Sequence, residues 1–192
     1  MLDPMPRWEG DAPRRLQQAA LELFDGRGYD RVTVAEIAAA AGLTERTFYR
    51  HFADKREVLF RGQDDFEQGF LTALADAAEG DAMSLVVTAL ASGADFFSAA
   101  RRPWSRARQH VVDATPALQE RELLKLSALA STLTGALTDR GVDPVTAALA
   151  AQSGVTVFRT AFAVWIADGE ERPFPEVQQQ VLAQLHALLA LT

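Results

Sequence analysis

Residues 33–52 read TVAEIAAAAGLTERTFYRHF, and the fold follows from them. Thr33 can accept a hydrogen bond from the Glu36 amide while the Glu36 carboxylate reaches back to the Thr33 amide. This capping box opens a helix whose apolar side is Val34, Ile37, Ala38 and Ala41. Gly42 ends that helix, because a residue without Cβ takes the left-handed conformation cheaply, and Leu43 can fold back as the apolar plug. Thr44 caps a second short helix with Phe48 and Phe52 facing inward. Alanines 38–41 let the two backbones approach closely at a steep angle, as a helix-turn-helix requires. The outer side of the second helix offers Glu45, Arg46, Thr47, Tyr49, Arg50 and His51, donors and acceptors that suit base edges or phosphates in a major groove. Periodicity alone leaves an alternative, a helical hairpin inside an ordinary all-helical domain.

The flanking residues narrow the choice. From about Ala19 to Phe60 the chain carries Ala-x-x-Leu-Phe leading to Gly28-Tyr29, then Thr33-Val34 with Ile37-Ala38, Ala41-Gly42-Leu43, Thr47-Phe48-Tyr49 with His51-Phe52, and Lys55 with Leu59. Together these motifs resemble the N-terminal DNA-binding domain of the TetR family of transcriptional regulators, over about a quarter of the chain. The resemblance implies a homodimeric regulator, a repressor, that binds palindromic operator DNA with paired heads and is released by a small-molecule effector. It also implies roles by position: Thr33, Thr47, Tyr49, His51 and Lys55 on the DNA backbone, with Thr44, Glu45, Arg46 and Arg50 nearer the bases. Two residues depart from the family's pattern, since Arg46 stands where a small residue is frequent and Glu45 where lysine is common. Arginine can hold guanine O6 and N7 bidentately, while Glu45 can accept from cytosine. The alternative is that the two pair with each other on a solvated face.

With 192 residues, 48% of them hydrophobic and 23% charged, the chain can build a sizeable core. Its formal charge of −7 is awkward for a nucleic-acid binder, yet residues 1–60 hold nine basic against ten acidic side chains, so most of the negative charge lies elsewhere. Phosphate affinity must then come from placing Arg14, Arg15, Arg46, Arg50, Lys55 and Arg56 on one surface. Cysteine is absent, which excludes disulfides and thiol chemistry and suits a reducing cytoplasm. The first residues lack a basic stretch followed by an apolar one, so no targeting peptide is expected, and the late apolar run Val155–Ile166 is too short for a bilayer. The expected location is cytoplasmic, with no membrane partner.

Along the chain the reading is all-α, with about nine helices and no strand-like alternation. A domain over 1–56, with residues 1–11 as a flexible arm, precedes a ligand-binding and dimerisation domain over 57–192. The first helix runs from Ala12 or Pro13 to about Arg27, with Leu16, Ala19, Ala20, Leu23 and Phe24 on one face. Asp54 and Glu57 form a second capping box opening a long helix to Ala77. Asp81 caps a helix to about Ala99 or Ala100, and Trp104–Asp113 is a shorter piece. Pro116 then starts a helix through Leu123, Leu129 and Leu137 to Arg140. Asp143-Pro144 starts one so apolar that it should be buried on most sides, and a last helix carries Val177 to Leu189.

Candidate ligand contacts are Phe66, Phe70, Phe97, Trp104, Arg106, His110, Phe158, Arg159 and Phe162, an aromatic lining with a few directing charges for an apolar or aromatic effector. Core packing explains those aromatics equally well. Arg159, inside an apolar run, needs a partner such as Asp113, a dimer mate or an anionic ligand, unless it is solvated. Val155, Trp165, Val181, Leu185 and Leu188 are candidates for a two-fold four-helix interface. No catalytic residues, metal ligands or cofactor are expected, because His110 and His186 lack any neighbouring ligand or nucleophile pattern. The competing function is a helical dimeric ligand-binding or interaction protein without sequence-specific DNA binding.

Overall fold

The computed structural model describes residues 11–78 and 80–190, with side chains at all of these except 63–66 and 93–95. The arm expected over 1–11 thus lies outside the described residues but for Asp11, as does the side chain of Phe66. Among the described residues there are nine α-helices and no strand. They are α1 (Ala12–Arg27), α2 (Val34–Ala40), α3 (Glu45–His51), α4 (Gln63–Asp76), α5 (Ala82–Ala91), α6 (Arg102–Asp113), α7 (Pro116–Asp139), α8 (Pro144–Trp165) and α9 (Phe174–Leu189). Short 3-10 turns cover Tyr29–Arg31, Arg56–Phe60, Ser92–Phe97 and Ala99–Arg101.

The chain forms two compact units. One is the chain up to Arg61 together with Ala107–Arg121; the other is Gly62–Arg106 together with the chain from Glu122 on. The sequence expectation divided it once, after residue 56. The difference arises because Val58, Leu59 and Phe60 are all buried, which one face of an α-helix cannot achieve for three consecutive residues. They form a 3-10 turn against α1, and Gly62 at φ 87° then redirects the chain into α4. The helix expected from Asp54 to Ala77 is therefore two elements. Asp54 does cap the turn, accepting from the Arg56 and Glu57 amides at 2.7 and 3.2 Å, but the Glu57 carboxylate pairs with Arg121 instead of reaching back.

In the first unit, α1 packs on α2, α3 and the 56–60 turn, and Leu16, Ala20, Phe24, Ile37, Phe48 and Leu59 are buried. Leu21 joins this core and Leu23 is only half-buried, so the buried stripe on α1 is shifted from the expected one. The capping box is present: the Thr33 amide donates to Glu36 Oε2 at 2.8 Å and the Glu36 amide to Thr33 Oγ1 at 3.3 Å. Arg27 adds an ion pair to the other Glu36 oxygen at 2.7 Å. Gly42, at φ 65°, closes α2 with its amide on the Ala39 carbonyl and the Leu43 amide on that of Ala38. Of the four alanines 38–41, Ala38 and Ala41 are buried at the α2–α3 contact and Ala39 and Ala40 are exposed.

In the second unit, α8 lies between α5 and α9. α5 ends at Ala91, earlier than expected, where the Ser92 hydroxyl turns back onto the Ala89 carbonyl at 2.7 Å and the chain tightens to 3-10 geometry. Phe97 meets the rings of Phe158, Phe162, Trp165 and Phe174 with centroids 4.5–5.8 Å apart. By length and composition α8 could cross a membrane; here 44% of its most apolar window is buried. It is not buried on most sides, since Val145, Leu149, Thr156, Arg159 and Val164 are exposed. Leu123 on α7 is exposed as well, outside the buried row Leu129, Leu133 and Leu137.

Two consequences are measurable. Gly154 of α8 lies so close to α5 that an added Cβ would fall on Val86 Cγ1 and within 3.2 Å of Leu90 Cδ1. Gly154→Ala should therefore lower the unfolding free energy by about 1–3 kcal/mol in urea titration, with recovery in the Gly154→Ala, Val86→Ala double variant. The amide, guanidinium and hydroxyl donors around Glu36 hold its carboxyl at about 2, below the ordinary 4.5. Because the folded value is the lower one, its stabilisation is fully present above pH 4.5 and is lost as pH falls through about 2. Denaturation of Glu36→Gln should accordingly differ from wild type at pH 6 and converge with it near pH 2.

Candidate nucleic-acid interface

The second helix of the pair is short, and both ends are held. Thr44 caps α3 by accepting from the Thr47 amide at 3.2 Å, and the two hydroxyls are 3.0 Å apart. At the turn before it, the Arg15 guanidinium donates to the Ala41 carbonyl, so α1 clasps the end of α2. An added Cβ at Gly42 would lie 2.8 Å from that guanidinium, which gives the glycine a second reason besides its positive φ. Phe48 is wholly buried and meets Tyr49 edge-on at 5.5 Å and Phe52 at 5.2 Å. These contacts fix which side of α3 faces out.

On that outer side Thr44, Glu45, Arg46, Tyr49 and Arg50 are exposed, as is Thr33 at the start of α2, while Thr47 and His51 are half-buried. Tyr49 keeps 55% of its surface accessible. The pairing of Glu45 with Arg46, open from sequence, does not occur among the described residues.

The basic surface is smaller than the sequence suggests. Arg14 pairs with Asp11 at 2.6 Å, and Arg56 pairs with Asp54 at 2.7 Å. Both carboxyls are held below their usual range, chiefly by these hydrogen bonds. Arg15 is committed to the Ala41 carbonyl. Lys55 points inward, its Nζ donating to the Tyr29 and Val32 carbonyls at 2.8 and 2.9 Å. Of the six cations expected to share one surface, Arg46 and Arg50 are the pair carried by α3.

The other candidates fall in several places. Phe70 is buried, and Phe97, Phe158 and Phe162 belong to the aromatic cluster of the second unit, packed ring on ring. Trp104 is half-buried, with Arg101 over its ring at 5.9 Å. Arg106 is engaged at the end of α8: Nε donates to the Ile166 carbonyl at 2.6 Å, Nη2 to that of Ala167 at 2.9 Å, and Nη1 lies 3.1 Å from Asp168. Arg102 donates to the Glu170 and Arg172 carbonyls with its guanidinium 4.9 Å from the Trp165 ring. Arg159 is exposed, and the apolar run around it never encloses it. Trp165 is completely buried in the chain's own core, because the cluster around Phe97 and Phe174 closes over it, and Val155 and Val181 are buried there too. Leu185 is half-buried and Leu188 is exposed.

His110 is exposed at a cleft of 370 Å³ within the first unit, beside Phe24, Tyr29, Val111 and Pro116. The sequence carried no signal for this cleft, nor for the Arg15 clasp, since both join residues far apart in the chain.

Residues 16–61 match the family described as bacterial regulatory proteins, tetR family. Over 60 residues, 31% of this chain, the sequence is 45% identical to the HTH-type transcriptional regulator TcmR of Streptomyces glaucescens, of whose length the match spans 26%. Among solved structures, the transcriptional regulator FadR from Bacillus subtilis in complex with stearoyl-CoA superposes with a TM-score of 0.61 at 19% identity, over 90% of this chain and 96% of that one. A protein from Syntrophomonas wolfei, assigned to the TetR-family transcriptional regulators, superposes with a TM-score of 0.63 at 16% identity, over 95% of this chain and 96% of its own. At such identities the likeness is one of fold. Residues 16–61 thus match the tetR family of bacterial regulatory proteins, and the fold over 90% of the chain is shared with the Bacillus subtilis structure.

Proposed function

We propose that this protein is a cytoplasmic, homodimeric transcriptional repressor that binds palindromic operator DNA through α3 and is released by a small-molecule effector. The observation that carries the reading is the outer side of α3, where Glu45, Arg46, Tyr49 and Arg50 stand exposed on a helix whose inner side is sealed by Phe48. In a major groove the Arg46 guanidinium takes guanine O6 and N7, Glu45 accepts from a neighbouring cytosine, and Tyr49, with Thr33 and Thr47, meets the backbone. With four of the six expected cations engaged within the protein, one head binds weakly, and two heads roughly 34–36 Å apart supply the affinity. Dimerisation uses the ends of α8 and α9, where Val145, Leu149, Leu188 and Leu189 are each about two-thirds exposed; a pair of such helices from each subunit would bury them.

The effector belongs in the second unit and is apolar or aromatic. The Bacillus subtilis fold-mate that holds stearoyl-CoA supports an apolar ligand for this architecture. α6 and α7 each contribute residues to both units, so the chain itself supplies a route by which ligand binding shifts the heads between populations of high and low operator affinity.

Selection of bound duplexes from a random pool, followed by titration of Arg46→Ala and Tyr49→Ala, tests the central claim. Arg46→Ala should cost about 1–3 kcal/mol and relax preference at a single base pair per half-site, and Tyr49→Ala should weaken all sequences alike. No retention of any duplex at low salt would leave the protein a helical dimer without a DNA target. Sedimentation of the Leu149→Glu, Leu188→Glu variant should give a folded monomer whose operator affinity is lost.

A further inference from the structure

Lys55 stands where the family commonly has a lysine against the DNA backbone, yet its ammonium is spent inside the protein. Nζ donates to the Tyr29 carbonyl at 2.8 Å and to the Val32 carbonyl at 2.9 Å, and it sits 4.0 Å from the centroid of the Tyr29 ring. An ammonium has three donors around one nitrogen, so two carbonyls and a ring face together account for its bonding directions. The two carbonyls flank the 3-10 turn Tyr29–Arg31, and Val32, 1% exposed, leads directly into Thr33, the cap of α2. The Tyr29 ring is fixed from its other neighbour, Phe24, at 5.0 Å. Burial takes the ammonium out of water and lowers its pKa.

We propose that Lys55 is a positioning residue that pins the α1–α2 connection, and so sets the entry of the capped helix α2, instead of supplying a phosphate contact. To reach a phosphate it would abandon two carbonyls and the Tyr29 ring for one bond that salt screens. The two uses leave different signatures: a phosphate contact contributes about one unit to the slope of log affinity against log salt, whereas a positioning residue changes affinity at every salt concentration alike.

Only the second test below rests on the DNA-binding reading. The chain has two lysines, Lys55 and Lys125, so amine labelling is readily resolved by peptide mass. Reductive methylation of the DNA-free protein should modify Lys55 at least about tenfold more slowly than in the urea-denatured chain. Labelling at the denatured rate would overturn the proposal. In the second test, Lys55→Met should weaken operator binding at least about fivefold with an unchanged salt slope. A Lys55→Met slope lowered by one, or an affinity equal to wild type, would equally overturn it. If Lys55→Met fails to fold, the labelling result decides by itself. If no duplex is bound, the DNA-binding reading fails while labelling still decides the place of Lys55.

Discussion

An α-helix ends with carbonyls that have no donor inside the helix, and this protein meets that constraint with cations drawn from distant parts of the chain. Arg15 closes α2 at Ala41, Arg140 closes α4 at Leu74, Ala75 and Ala77, and Arg106 closes α8 at Ile166 and Ala167. Arg102 holds the loop that follows α8, and Lys55 the turn that follows α1. A hydrogen bond from a charged donor contributes about 1.5–3 kcal/mol when sheltered, less where water competes, and each of these also fixes how one element meets the next. The basic residues thus act as structural capping groups before they act on any partner.

That use has a cost for recognition. With Arg14, Arg15, Lys55 and Arg56 engaged within the protein, four of the six cations expected to face phosphates are committed elsewhere, while Arg31 and Arg61 are exposed outside α3. Non-specific attraction to DNA scales with the phosphates neutralised, so on the proposed function this unit would rely on what α3 presents to base edges and on the pairing of two heads. On that reading Arg46 and Glu45 would matter more here than on a strongly basic domain. The net charge of −7 adds a general repulsion that only specific contacts offset.

Much of the fold was legible because helix starts are written locally. Thr33 with Glu36, Thr44, Asp81 and Asp143 each cap the helix that their position announces, since the acceptor and its amide partners are two or three residues apart. Gly42 was legible for the same reason. Gly62 was not: apolar spacing continues on both sides of it, and only the burial of Val58, Leu59 and Phe60 shows that the chain must turn there. The face of α8 was equally hidden, because alanine and valine suit either environment. Val145 and Leu149 are exposed while Ala147 and Ala151 are buried, the reverse of their size. Trp165, a candidate for a partner's surface from sequence, is enclosed by Phe97, Phe162 and Phe174 in the folded chain.

By itself, then, the sequence determined the all-α class, the helix-turn-helix at residues 33–52 and the outward residues of α3, all set by interactions that span one helical turn. The tertiary structure decided which cations are spent within the protein, where the two units divide and which apolar residues are left uncovered. The physical reason is distance along the chain. Lys55 binds carbonyls 23 and 26 residues away, Arg15 one 26 away, and Arg106 and Arg102 carbonyls 60 to 70 away. No local pattern records such a meeting, because it exists only once the helices have packed.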